Sequence, residues 1–166
     1  MSRHCTNEWL EIIDFYKKEV KFKKNEDVIT AGDPVKGIFF IESGIVKVSL
    51  IRNNEERIIR LAKEGDILGH RGFGEELNYP VTVKALSDVS LTFIPMNIFN
   101  KVLQANPELL FKMMMFFAEE LKNSEKGMQG MLHLSVIERI STAIMFNIDA
   151  FGLDGDNLLN YTLSRT

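Results

Sequence analysis

The residues best suited to metal or nucleophilic chemistry are three histidines, His4, His70 and His133, and a single cysteine, Cys5. Their spacing assembles no site. The histidines lie too far apart for the HExxH or HxH patterns that put two imidazoles on one metal. One cysteine excludes a disulfide framework, a Cys₄ zinc site and a cysteine-ligated iron–sulfur cluster within one chain. A cupin-like metal enzyme would need three or four ligands, usually with His-x-His on one strand, and the strand region holds only His70. Glu75 and Glu76 are adjacent, so they alternate across a strand or splay in a loop. No Ser/His/Asp or Cys/His set converges in the sequence. Neither an enzyme nor a metal site is expected.

Composition narrows the class further. Of 166 residues, 45% are hydrophobic and 26% charged, enough apolar material for a sizeable core and too much for global disorder. Lys and Arg number 20 against 23 Asp and Glu, a formal charge of −3 that argues against a bulk nucleic-acid binder. No apolar run approaches the length of a membrane span, and Glu8, Glu11 and Asp14 interrupt any N-terminal signal segment. A cytoplasmic protein is expected.

The elements fall into three zones. Trp9, Ile12, Ile13 and Tyr16 form one apolar helical stripe that Thr6 or Asn7 can cap. A basic run, Lys17 to Lys24, reads as a solvated helix end and a first strand. From Val20 to Ile94 short β-rich segments follow closely: 38–41, 45–51, 57–62, 80–85 and 90–94, punctuated by Gly32, Gly37, Gly44, Gly65 and Gly69. Asn53 to Glu56 reads as a hairpin loop. Such a series indicates an antiparallel barrel or sandwich.

After Ile94 the pattern is helical. A short helix runs from Pro95 to about Gln104, and Asn106-Pro107 then gives a cap followed by proline at the first helical position. Leu109 to Ala118 is apolar nearly all round, so it must be covered on more than one side. Leu110, Met114, Phe117, Leu121, Ser124, Met128, Met131 and Ser135 are spaced alternately four and three apart, a coiled-coil seam over more than three heptads. No second helix of that length is present to meet it, so a homodimer is expected. Gly127 and Gly130, inside the same helix, fit either a close approach, a hinge or tolerated surface glycine. Ser135-Val136-Ile137-Glu138 is a capping box opening a helix to about Ala150, which Gly152 and the Asp154-Gly155 turn end.

Gly37-Ile-Phe-Phe-Ile-Glu-Ser-Gly44-Ile-Val-Lys-Val, followed by Gly65-Asp66-Ile67-Leu68-Gly69, resembles the cyclic-nucleotide-binding β-roll. With the seam helix and Ser135-Val-Ile-Glu-Arg139-Ile behind it, the chain resembles the Crp/Fnr family of bacterial transcription regulators over essentially its whole length. The resemblance implies an α+β, mainly β fold: a jelly-roll or cupin-like antiparallel β-roll flanked by helices, with a long C-terminal dimerisation helix. It implies an N-terminal helix and sensing domain over 1–105, a dimerisation helix over 106–134, and over 135–166 a connecting helix with the start of a DNA-binding domain. In this family an effector bound between β-roll and helix reorients a C-terminal helix-turn-helix that reads the major groove. Leu163-Ser164-Arg165-Thr166 would be the entry to that domain. The chain is expected to be a fragment of a longer regulator, the alternative being a sensor that naturally lacks the helix-turn-helix.

The departures from the family carry as much weight. Members that bind cyclic AMP place a glutamate after the glycine of the phosphate-binding turn and an Arg-Ser pair at the next strand. Here those positions are His70, after Gly69, and Tyr79-Pro80. Each lost charged contact costs about one to two decades of affinity, so cyclic AMP is not the expected effector. By the resemblance, the ligand-binding residues are Gly69, His70, Arg71, Tyr79, Pro80 and Thr82, with Ser124, Glu125 and Met128 facing them from the helix. That lining suits a small organic ligand, and His70 with Arg71 could pair with a carboxylate. His70 as a satisfied loop histidine and Tyr79 as packing under the roll are the alternatives. No cofactor is assigned. A haem-based gas or redox sensor, with His70 or His133 as an axial ligand, and a stand-alone dimeric module acting on a protein partner are the competing functions.

Overall fold

The structure, a computed structural model, describes residues 14–53, 55–133 and 135–159, with the backbone alone between 126 and 133. Among the described residues there are eight strands: β1 (Lys18–Phe22), β2 (Asp27–Ile29), β3 (Gly37–Ser43), β4 (Val46–Arg52), β5 (Glu55–Ala62), β6 (Ile67–Leu68), β7 (Thr82–Ala85) and β8 (Val89–Pro95). After β8, the described residues hold three helices: α1 (Met96–Ala105), α2 (Pro107–His133) and α3 (Val136–Phe151). Two compact units result, residues 1–110 and residues 111–166.

In the first unit the strands form two antiparallel four-stranded sheets, in the orders β1-β8-β3-β6 and β2-β7-β4-β5. The α+β, mainly β roll expected from the sequence is therefore present. Alternation explains the layering. Val46 and Val48 on β4, and Val83 and Ala85 on β7, turn the same face inward as Phe39 and Ile41 of β3 and Val89 and Leu91 of β8, and all are buried in one core. Helix α1 closes one side of this unit through Phe99 and Val102, packed against β3 and β8.

Two strands were not legible from the sequence. β2 and β6 have three and two residues, too short to show a period. The β4–β5 turn is also tighter than the expected loop 53–56. Glu55 and Glu56 already pair with Arg52 and Ile51, and Asn53 turns at φ 52°. The run 80–85 begins as a strand only at Thr82, because Pro80 has no N–H to give to a ladder.

Asn106, 7% exposed, accepts the Leu109 N–H on its side-chain oxygen at 3.0 Å, so it caps α2 as Asn106-Pro107 predicts. Leu109 is buried, while Leu110, Phe111, Met114 and Met115 are each half exposed or more within the single chain. The capping box of α3 is complete: the Glu138 N–H donates to Ser135 Oγ at 3.3 Å and the Ser135 N–H donates to Glu138 Oε2 at 2.8 Å. α3 ends at Gly152, whose N–H reaches the Ile148 carbonyl at 2.8 Å. Of the expected N-terminal helix, only Asp14–Tyr16 are described, and they are helical. Trp9, Ile12 and Ile13, and the closing Tyr161–Thr166, lie outside the described residues.

Candidate effector cavity

The site is built on one rung of the second sheet. Ile29 of β2 pairs with Val83 of β7, Val83 with Val48 of β4, and Val48 with Arg60 of β5. All four line a single cavity. Three are the apolar residues expected of an inward face. The fourth is an arginine, on the same face of β5 as the fully buried Ala62 two residues on. Arg60 is half-buried, and its Nη2 donates to the Ile67 carbonyl at 3.0 Å, which ties β5 to the start of β6.

The facing wall is the turn after β6. Gly69, at φ 83°, bends the chain into a one-turn 3₁₀ helix, His70–Gly72, closed by the Gly72 N–H on the Gly69 carbonyl at 3.1 Å. A left-handed φ there favours glycine, and a Cβ would stand 2.7 Å from the Gly37 carbonyl oxygen. This turn carries His70 inward, 5% exposed, and leaves Arg71 exposed at the cavity's mouth.

Tyr79, Pro80 and Val81 form the third side. The Tyr79 ring is buried and its hydroxyl is committed to backbone: it accepts from the N–H groups of Lys36 at 3.1 Å and Gly37 at 3.3 Å, and donates to the Gly37 carbonyl at 3.0 Å. Tyr79 thus offers a ligand its ring and not its hydroxyl. Thr82, buried beside this segment, is occupied in the same way, its Oγ1 accepting the Ala31 N–H at 3.2 Å.

The cavity holds about 360 Å³ with its open mouth included. Among the described residues that line it, none is acidic.

Of the ligand residues expected from sequence, Gly69, His70, Arg71, Tyr79 and Pro80 are brought together on this cavity. Ser124 and Glu125 are exposed on α2, and the side chain of Met128 lies outside the described residues. The lining residue to which the sequence reading did not point is Arg60; its signal is the period-two relation to the fully buried Ala62. Among the described residues, no cluster of three or more His, Cys, Asp or Glu could hold a metal ion, and no helix is long and apolar enough to cross a membrane.

Residues 19–106 match the cyclic nucleotide-binding domain family. Among curated proteins, the chain is 24% identical over 161 residues to electron transport regulator A of Shewanella oneidensis, covering 96% of this chain and 64% of that protein. It is 25% identical over 128 residues to the cAMP-activated global transcriptional regulator CRP of Pasteurella multocida, covering 75% and 61%. The chain thus spans less than two thirds of the length of these relatives. Among solved structures, the c-di-GMP responsive global regulator CLP of Xanthomonas campestris superposes with a TM-score of 0.71 at 18% identity, covering 84% of this chain and 71% of the other. At that identity the likeness is one of fold.

Proposed function

Since the chain belongs to the cyclic nucleotide-binding domain family, with relatives among Crp/Fnr-type transcription regulators, we propose that it is the effector-sensing and dimerisation part of such a regulator, answering to a small ligand other than cyclic AMP. The observation that carries this is the make-up of the cavity. The position after Gly69 is a buried histidine, and the place of a phosphate-holding Arg-Ser pair is taken by Tyr79-Pro80, of which Tyr79 has its hydroxyl bonded to Gly37. The named relatives support a change of effector within one fold, since one is described as cAMP-activated and another as c-di-GMP responsive.

On this reading the β-roll senses, α2 couples two copies, and α3 passes the signal on to the DNA-binding step of such a cytoplasmic regulator. The seam supports the second step: Leu110, Met114 and Leu121 are 50%, 53% and 62% exposed in the single chain, an apolar stripe that a second copy would cover. Phe117 is half-buried, Ser124 is exposed, and the side chains of Met128 and Met131 lie outside the described residues.

The test is a calorimetric titration of the chain with cyclic AMP. No saturable heat in the micromolar range is the expected result. Micromolar binding would overturn the reading, because it would require the phosphate to be held without the residues the family uses for it.

A further inference from the structure

We propose that helix α1 is the relay through which the effector cavity acts on the first turn of α2, an assignment that rests on reading the β-roll as the sensing module. Two walls of the cavity run to the start of this helix. Phe73 follows directly on the 3₁₀ turn that carries His70, and its ring centroid lies 5.9 Å from that of Phe99, the planes tilted by 44°. Tyr79, on the other wall, reaches the same helical turn through a single residue, Lys36. The Tyr79 hydroxyl accepts the Lys36 N–H at 3.1 Å, and the Lys36 carbonyl accepts the N–H of Met96, the first residue of α1, at 3.0 Å.

The far end of α1 is joined to α2 with no loop between them. Asn106 alone separates the two helices, and its N–H reaches the Leu103 carbonyl of α1 at 3.3 Å. It also accepts the Leu109 N–H on its side-chain oxygen and the Leu110 N–H on its carbonyl, each at 3.0 Å. Phe99, Val102, Asn106 and Leu109 are the buried positions of this stretch, three, four and three residues apart, so one buried face carries through the junction. A helix of 10 residues is a rod of about 15 Å. Close-packed interiors transmit a displacement that a loop would absorb. A ligand that moves the His70 turn or the Tyr79 segment therefore shifts α1 and, with it, the cap of α2.

The experiment needs no effector, because a substitution supplies the push. Gly69→Ala places a Cβ 2.7 Å from the Gly37 carbonyl oxygen, while Gly65→Ala, whose Cβ meets open space, is the control. Native-state amide exchange is read at Leu109 and Leu110, corrected for the loss of global stability found by urea titration. The comparison is made in the parent chain and in a Phe73→Ala, Tyr79→Phe background that removes the ring contact and the Lys36 bond together. In the parent, Gly69→Ala is expected to speed exchange at these two amides about fivefold or more beyond Gly65→Ala, and that excess should vanish in the double background. No excess in the parent, or an excess of the same size with both links removed, overturns the relay. If the double background does not fold, Phe73→Ala and Tyr79→Phe singly decide, each having to lower the excess. Micromolar binding of cyclic AMP would instead strike at the underlying reading and leave the measured coupling standing.

Discussion

The Tyr79 hydroxyl spans the backbone of Gly37, accepting its N–H at 3.3 Å and donating to its carbonyl at 3.0 Å. Gly37 opens β3, so this contact pins the segment before β7 to the first residue of a core strand. The same segment is tied to the 31–35 stretch by the Tyr79 N–H on the Asp33 carbonyl at 2.9 Å and the Gly32 N–H on the Tyr79 carbonyl at 2.8 Å. One wall of the cavity is therefore held by hydrogen bonds as well as by packing.

Tyr79→Phe keeps the ring that lines the cavity and deletes the hydroxyl. It leaves buried peptide groups at Gly37 short of a partner, at a cost of about 1–3 kcal/mol. The urea midpoint should fall with the slope of the transition unchanged. A midpoint equal to that of the parent chain would mean that the hydroxyl's bonds contribute nothing net.

Gly69 and Gly65, which flank β6, make a controlled pair. Both have a left-handed φ, 83° and 89°, but a Cβ at Gly65 would meet open space while one at Gly69 would come 2.7 Å from the Gly37 carbonyl oxygen. Alanine at either position costs roughly 1–2 kcal/mol for the backbone conformation. Gly69→Ala should cost distinctly more in denaturant titrations, because the obstacle is backbone of a core strand. Equal losses would show that the turn can move away from β3.

These positions also indicate how far the sequence could be read. The strands of four or more residues, the Asn106-Pro107 start and the capping box at Ser135 were legible because each is a local signal: a period, a cap, a fixed spacing. The gathering of Gly69 to Arg71 with Tyr79-Pro80 followed from a family pattern, not from periodicity. β2 and β6 were invisible because two or three residues pair only by virtue of strands far away in sequence. Arg60 was missed for a related reason. Which face of β5 turns inward is fixed by its register with β4, where a bulge between Val48 and Ser49 shifts the pairing, and no local rule reports that.

The capping box makes a pH prediction for α3. The Ser135 hydroxyl at 2.7 Å and, less strongly, the Ser135 N–H at 2.8 Å hold the Glu138 carboxyl below its ordinary range. A carboxylate whose pKa is lowered on folding contributes stability that is present above its unfolded pKa and is lost as pH falls through the folded value. The helical signal of α3 should therefore decline on the acid side, and Glu138→Gln should flatten that limb. Ser135→Ala, which removes the cap itself, should cost about 1 kcal/mol near neutrality. Amide hydrogen exchange at the first turn of α3, compared between the two variants across pH, checks both statements.

The seam on α2 gives opposite predictions at neighbouring positions. Leu121 is 62% exposed in the single chain, and in a homodimer it would be buried against its counterpart. Leu121→Lys would bring two ammonium groups together in that core, weakening the dimer by about tenfold or more in sedimentation equilibrium. Ser124, three residues on, is the polar interruption of the same stripe, so Ser124→Leu should tighten the dimer and blunt the response to any effector. A seam with a polar interruption is easier for a ligand to bias than one optimised throughout, because a ligand shifts an equilibrium only by its differential affinity for the two states. If both substitutions leave the dissociation constant where it was, the stripe packs on something other than a second copy, and signal transfer through α2 must be sought on another face of the helix.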